Sequence, residues 1–304
     1  MKNAEEQLRE TARCLLSEKK ADLVIGFEQG SIPGMTRPCV VRLPEETKRL
    51  VWNPYCSTNL AVYLKDFLKK KPSGPGKEPP PLPKTAIVVK GCDALSVALL
   101  VREKQVPREK LITIGMPCKG LVDSKTGETL PSCLSCIHPV AENADIIIKG
   151  ESRKPADNPF EDVEAFENKS LPERWDYFKR EMSKCIRCYA CREVCPNCYC
   201  EECFADKTDP QWIAPGNELS DTMIYHLGRM FHQAGRCVGC GACVRACPVG
   251  VDLKTFTAKL VKDAQDIFDF EIGFDAEQLP LLSDFNDSDS DAFITDPEKE
   301  NTDE

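Results

Sequence analysis

Apolar positions recur at helical spacing at the start of the chain, where Leu8, Ala12, Leu15 and Leu16 predict an amphipathic helix over Glu5 to Lys20. A short apolar run, Asp22 to Phe27, predicts a strand leading into a glycine-bearing loop, Gly26-Phe-Glu-Gln-Gly30-Ser-Ile-Pro-Gly34. Cys39 to Leu43 predicts a second strand, and Thr58 to Lys71 a helix with a basic end. Pro72 to Pro83 (PSGPGKEPPPLP) has no apolar period and predicts a linker or exposed loop, partly polyproline II. Beyond it, Thr85 to Val89, Leu111 to Gly115 and Asp145 to Ile148 read as strands, with a turn at Gly91-Cys92-Asp93 and a helix from Ala94 to Gln105. Strands alternating with helices predict an α/β domain with a mostly parallel sheet.

Charge, Pro and Asn dominate Glu151 to Asn168, which marks an interdomain boundary. The pattern that follows is helical with cysteine-rich turns, including a helix from Leu219 to Gln233. The chain thus divides into an α/β domain over 1–155, a linker over 156–170, a mainly α-helical domain over 171–275 and a disordered acidic tail over 276–304.

Charge sharpens that division. The formal net charge is −9, and Ser283 to Glu304 holds nine acids against the single base Lys299, so this end alone carries −8. Such a segment lacks the apolar content to fold alone and reads as a solubilising end or an acidic docking arm. The body is nearly neutral and shows no basic stripe, which argues against nucleic acid as a partner. No stretch reaches the roughly 18 apolar residues that a spanning helix needs, so no transmembrane segment is expected. The first twenty residues carry Glu5, Glu6, Glu10 and Glu18 and no apolar signal core, which predicts a cytoplasmic protein.

Eighteen cysteines change the picture most. A reducing cytosol keeps thiols free, so dense cysteines there point to metal or catalysis rather than disulfides. Two copies of one motif decide between these: Cys185-x2-Cys188-x2-Cys191-x3-Cys195-Pro196 and Cys237-x2-Cys240-x2-Cys243-x3-Cys247-Pro248. This is the run of two-cluster bacterial ferredoxins, in which the fourth cysteine ligates the other cluster. One [4Fe-4S] cluster would take Cys185, Cys188, Cys191 and Cys247, and the second Cys237, Cys240, Cys243 and Cys195. Structural zinc sites use paired CxxC units and have no need of a duplicated triple spacing. Between the motifs stand Cys198, Cys200 and Cys203, which read either as part of a further metal site or as small buried hydrophobes.

The long insertion between Cys195 and Cys237 resembles the α-helical ferredoxin domains of heterodisulfide reductase, succinate dehydrogenase and related electron-transfer subunits, over about Lys184 to Leu260. The N-terminal half carries its own ordered thiols: Gly91-Cys92-Asp93, Met116-Pro-Cys118-Lys-Gly120 and Cys133-x2-Cys136, followed by Ala144-Asp-Ile-Ile-Ile-Lys-Gly150. That order resembles the coenzyme F420 hydrogenase/dehydrogenase beta-subunit family. The resemblance implies a third [4Fe-4S] cluster on Cys92, Cys118, Cys133 and Cys136, near a flavin (FAD) that exchanges hydride with F420. The residues themselves leave three readings open here: a cluster, zinc or no metal. Cys92 and Cys118 both follow strands, at the sheet edge where α/β sites form. Gly26, Gly30 and Gly34 offer either a cradle for a flavin phosphate or an ordinary turn.

These readings predict an iron–sulfur subunit that relays single electrons within an anaerobic oxidoreductase complex of hydrogenase, formate dehydrogenase or heterodisulfide-reductase type. Its partners would be redox subunits of that complex. Two rivals are a flavoenzyme that oxidises F420 or a nicotinamide and feeds its own clusters, and a zinc-binding module without redox chemistry. The histidines, His138, His226 and His232, form no hydrolase constellation, and the last two read as packing or solvent-facing residues of the helix before Cys237.

Overall fold

The computed structural model of the chain describes residues 3–69, 80–281 and 283. Most of the proline-rich stretch, and the acidic end from residue 284 onward, lie outside the described residues.

Helix α1 (Ala4–Ser17) opens with a capping box: the Asn3 side chain accepts the Glu6 N–H at 2.8 Å while the Glu6 carboxylate accepts the Asn3 N–H at 3.1 Å. Its apolar face, Leu8, Ala12, Leu15 and Leu16, is buried, as the spacing predicts. Strands β1 (Leu23–Gln29), β2 (Thr36–Val41), β3 (Thr85–Val89), β4 (Leu111–Gly115) and β5 (Ile146–Ile147) form one sheet in the order β2-β1-β3-β4-β5. The pairs from β1 through β5 are parallel and β2 is antiparallel to β1. Every residue of β3 is buried, as a central parallel strand requires.

Several local expectations change. Gly26 lies inside β1 opposite Cys39, where a Cβ would press on Leu50, and Gly30 and Gly34 belong to the turn that joins β1 to β2. The Gly30 N–H is engaged by Met35 O within that hairpin at 2.9 Å. The loop therefore closes a hairpin and opens no helix, so the phosphate-cradle expectation for Gly26, Gly30 and Gly34 gives way to the turn. The predicted helix from Thr58 is a 3₁₀ turn, Leu60–Tyr63, and a short α2 (Leu64–Leu68). Helix α3 (Gly91–Arg102) starts earlier than expected, because the Asp93 carboxylate accepts the Lys90 N–H and turns Gly91-Cys92-Asp93 into its first turn.

The remaining helices are α4 (Pro131–Leu134), α5 (Glu161–Glu167), α6 (Leu171–Ser183), α7 (Ala190–Glu193), α8 (Leu219–His232), α9 (Ala242–Ala246) and α10 (Leu253–Phe268). Helix α4 still belongs to the sheet half of the chain; α5 lies within the segment read as linker. It packs on α10, where Lys259 reaches Glu167 at 3.0 Å and Phe166 meets Phe256 edge to face. Phe178, Met182, Tyr225, Met230 and Phe256 form the core of the helical half.

The halves interlock rather than hang from the linker. Arg236 pairs with the buried Glu103 at 2.7 Å, Arg245 donates to Ser57 O at 2.7 Å, and Lys65 donates to Cys198 O at 3.3 Å. Asn143 and Arg102 donate to the main chain at Phe274 and Asp275. The sheet's C-terminal edge is thereby held against the cysteine loops.

Candidate iron–sulfur site

The duplicated motifs fold as copies. In each, the residue before the second cysteine and the residue after it have positive φ: Arg187 at 50° and Tyr189 at 60°, Gly239 at 65° and Gly241 at 67°. A short helix then begins at once, α7 at Ala190 and α9 at Ala242. The left-handed positions bend the main chain so that its N–H groups turn inward on the thiols. Glycine takes this conformation freely in the second copy, whereas Arg187 is held in it by its guanidinium, which bonds the carbonyls of Ala214 and Gly216 and the Tyr189 hydroxyl.

Backbone donors meet the sulfurs at a fixed offset. The Arg187 N–H donates to Cys185 Sγ at 3.3 Å, and Gly239, Ala242 and Asn197 serve Cys237, Cys240 and Cys195 in the same two-residue relation. The N-terminal half repeats the device: Gly120 serves Cys118 and His138 serves Cys136. The Leu121 N–H donates to Cys133 Sγ at 3.3 Å, and that of Val251 to Cys247 Sγ at 3.3 Å. N–H groups aimed at sulfur stabilise thiolate character and tune iron–sulfur potentials.

Electrostatic neighbours sort the thiols into sets. Burial raises the Cys185 thiol, the Arg187 N–H opposes the shift, and Cys191, Cys247 and Cys188 add to it. Burial pushes Cys237 up to about 11, with Cys240 and Cys195 adding to the shift, and Cys243 up to about 12, with Cys237, Cys195 and Cys240 adding. Cys247 thus stands with the first motif and Cys195 with the second, which is the crossed arrangement. In the N-terminal set burial raises Cys118, Cys136 and Cys92; Cys133 acts on the first two, while Cys240 and Cys136 act on Cys92.

One cavity of about 170 Å³ joins two of these sets: Cys92, Cys118, Cys133 and Cys136 on one wall, and Cys195, Cys237, Cys240 and Cys243 on the other. The walls touch where a Cβ on Gly241 would lie 2.5 Å from Ser132 Oγ, beside Cys133. Cys188, of the third set, is exposed.

Helix α8 lines the space between the motifs with polar groups that the sequence reading missed. His226 Nε2 lies 3.2 Å from Cys185 Sγ, the Tyr225 hydroxyl 3.7 Å from Cys191 Sγ, and Gln233 Oε1 3.7 Å from Cys195 Sγ. His226 is 1% exposed and its lowered pKa, about 4, comes from burial first and then from Arg229 and Arg187, so the ring is neutral. His232 is exposed and meets Phe204 edge to face. The signal available was the offset of these residues on the face of α8 that leads into Cys237. At the other wall, Lys90 and Asp93 form a buried pair at 2.7 Å beneath Cys92, and the Lys90 ammonium also bonds the carbonyls of Cys56 and Thr58. Cys198 lies beside Cys195 and accepts from Gln233 Nε2 at 3.4 Å; Cys200 is exposed, and Cys203 bonds Arg192.

The residues present fit iron–sulfur clusters. Their donors are thiols, main-chain N–H groups converge on those thiols, and buried Arg229 keeps two N–H groups that meet no oxygen or nitrogen acceptor among the described residues. Two of the thiol sets surround a common space. Among the described residues no helix is long and apolar enough to cross a membrane.

Residues 181–251 match the 4Fe-4S dicluster domain family. The chain is 30% identical over 123 residues to the F420-dependent formate dehydrogenase subunit beta of Methanocaldococcus jannaschii, over 39% of this chain and 31% of that protein. It is 40% identical over 76 residues to the F420-dependent formate dehydrogenase 1 subunit beta of Methanococcus maripaludis, over 23% of this chain and 18% of that protein. The matched stretch spans less than a third of the length of either relative. Both resemblances read from the motifs are thereby met: an iron–sulfur dicluster region, and likeness to an F420-linked dehydrogenase beta subunit.

Proposed function

We propose that this chain is the electron-relay subunit of an anaerobic oxidoreductase complex, with three [4Fe-4S] clusters in series. The observation that carries the proposal is the shared cavity, with four N-terminal thiols facing four thiols of the dicluster motifs. Cys92, Cys118, Cys133 and Cys136 would hold the first cluster. Cys195, Cys237, Cys240 and Cys243 would hold the second, and Cys185, Cys188, Cys191 and Cys247 the third. When bound, these clusters supply one-electron redox chemistry; the protein sets their potentials and excludes water.

The chain's own residues divide that work. The two-residue N–H offset holds thiolate charge at each loop, as described for Cys118, Cys136, Cys185 and Cys237. The Lys90–Asp93 pair fixes the start of α3 and with it Cys92, which lines the cavity with both Cys136 and Cys240. Exposed Cys188 brings the last cluster to the surface, where a redox partner subunit would take or give the electron. Likeness to F420-dependent formate dehydrogenase beta subunits favours a formate dehydrogenase-type complex over the hydrogenase and heterodisulfide-reductase types.

The test replaces Cys133 and Cys136 together by serine in the full chain, prepared anaerobically. About four iron should be lost from about twelve, while the signals of the two dicluster centres persist. Unchanged iron content in that variant would remove the first cluster from the series.

A further inference from the structure

Arg229 stands on α8 between the two dicluster thiol sets, and only 4% of it is exposed. Its Nη2 donates to Cys191 O at 3.0 Å and its guanidinium also bears on the Cys198 thiol, while Nε and Nη1 meet no oxygen or nitrogen acceptor among the described residues. A guanidinium so buried is costly unless negative charge lies near it. No carboxylate is bonded to it among the described residues; it reaches Cys191 O of one set and lines the cavity together with Cys195, Cys237, Cys240 and Cys243 of the other.

We propose that Arg229 is the internal countercation shared by the two dicluster centres and that it raises the reduction potential of both. This rests on the assignment of clusters to those thiols under the reading above. Four thiolates around an oxidised [4Fe-4S] core leave a net charge of about −2, and each electron received makes it more negative by one. A fixed positive charge at the shared wall therefore favours the reduced form more than the oxidised form. The electron comes from a one-electron donor on one side and leaves to a one-electron acceptor on the other, and no proton is needed for the balance. Because guanidinium stays charged at all working pH values, the bias is permanent. Tyr225 and His226, neighbours on the same helix face, contact single thiols of one motif, whereas Arg229 bonds Cys191 O and lines the cavity beside the other set.

The experiment is a potentiometric titration of the full chain followed by electron paramagnetic resonance, comparing wild type with Arg229→Gln and Arg229→Lys. Iron and sulfide are measured first. A wild-type chain without iron–sulfur clusters overturns the underlying reading, and this proposal with it. With clusters present, Arg229→Gln should leave iron content unchanged and lower the reduced-to-oxidised ratio of both dicluster centres about tenfold at fixed poise, a shift of about 59 mV for one electron. Arg229→Lys should restore most of that ratio. Clusters whose ratios are unchanged in Arg229→Gln overturn the proposal. If the glutamine variant assembles no cluster, Arg229→Met, uncharged and of similar length, decides: ratios lowered about tenfold in both centres support the proposal; unchanged ratios, or failure to assemble, overturn it.

Discussion

Cys195 and Cys247 each close a motif but stand, by their electrostatic neighbours, with the opposite set: Cys195 with Cys237 and Cys243, Cys247 with Cys185. Cys195→Ser should therefore damage the cluster of Cys237, Cys240 and Cys243, and Cys247→Ser that of Cys185, Cys188 and Cys191. Mössbauer spectra of each variant check this; Cys195→Ser damage confined to the Cys185 centre would contradict it. The duplicated motifs were legible in the sequence because thiol spacing is contiguous and its chemistry narrow. Arg229, His226 and Gln233 were not legible. They occupy the inner face of an ordinary amphipathic helix, and what they face is built by loops distant in sequence.

Helix α3 shows how one element couples the sheet to the thiols. Gly91 starts the helix, and a Cβ there would overlap the carbonyl oxygen of His138 and lie 2.9 Å from that of Val140. These main-chain atoms immediately follow Cys136 and cannot swing aside as a side-chain tip would. Gly91→Ala should therefore push the Cys136 loop away from Cys92 and cost the N-terminal cluster, about four iron, while the dicluster centres stay occupied. Iron analysis and the cluster spectra read this directly, and full retention would show that the loop relaxes. Strands β3 and β4 were legible to the residue, since continuous apolar runs bounded by turns leave little choice. The α3 start was not, because Asp93 looks like a turn residue until it is seen to accept the Lys90 N–H. The β1–β2 hairpin was hidden for a similar reason: glycines after a strand serve a phosphate loop and a turn equally well.

At the scale of the whole molecule, the sequence indicated two halves but not their joint cavity. Arg236–Glu103, Arg245–Ser57 and Lys65–Cys198 cross between halves through groups whose partners lie far apart in the chain. Periodicity and motif spacing are local signals and carry no trace of such pairs. Breaking one of them tests the interlock: Glu103→Ala leaves the partly solvated Arg236 unpaired and should destabilise the folded chain by about 1 kcal/mol, read as a lower denaturant midpoint. A midpoint unchanged within error would mean that the halves are held mainly by other contacts.

The central claim, that thiols from both halves hold iron–sulfur clusters in series, is tested most directly by iron, sulfide and zinc analysis of the anaerobically prepared full chain with its Mössbauer spectrum. The account predicts about twelve iron and twelve acid-labile sulfide per chain, all in [4Fe-4S] form, with about eight of each from the duplicated motifs. A preparation holding about four iron or fewer, with stoichiometric zinc in place of the rest, would contradict it.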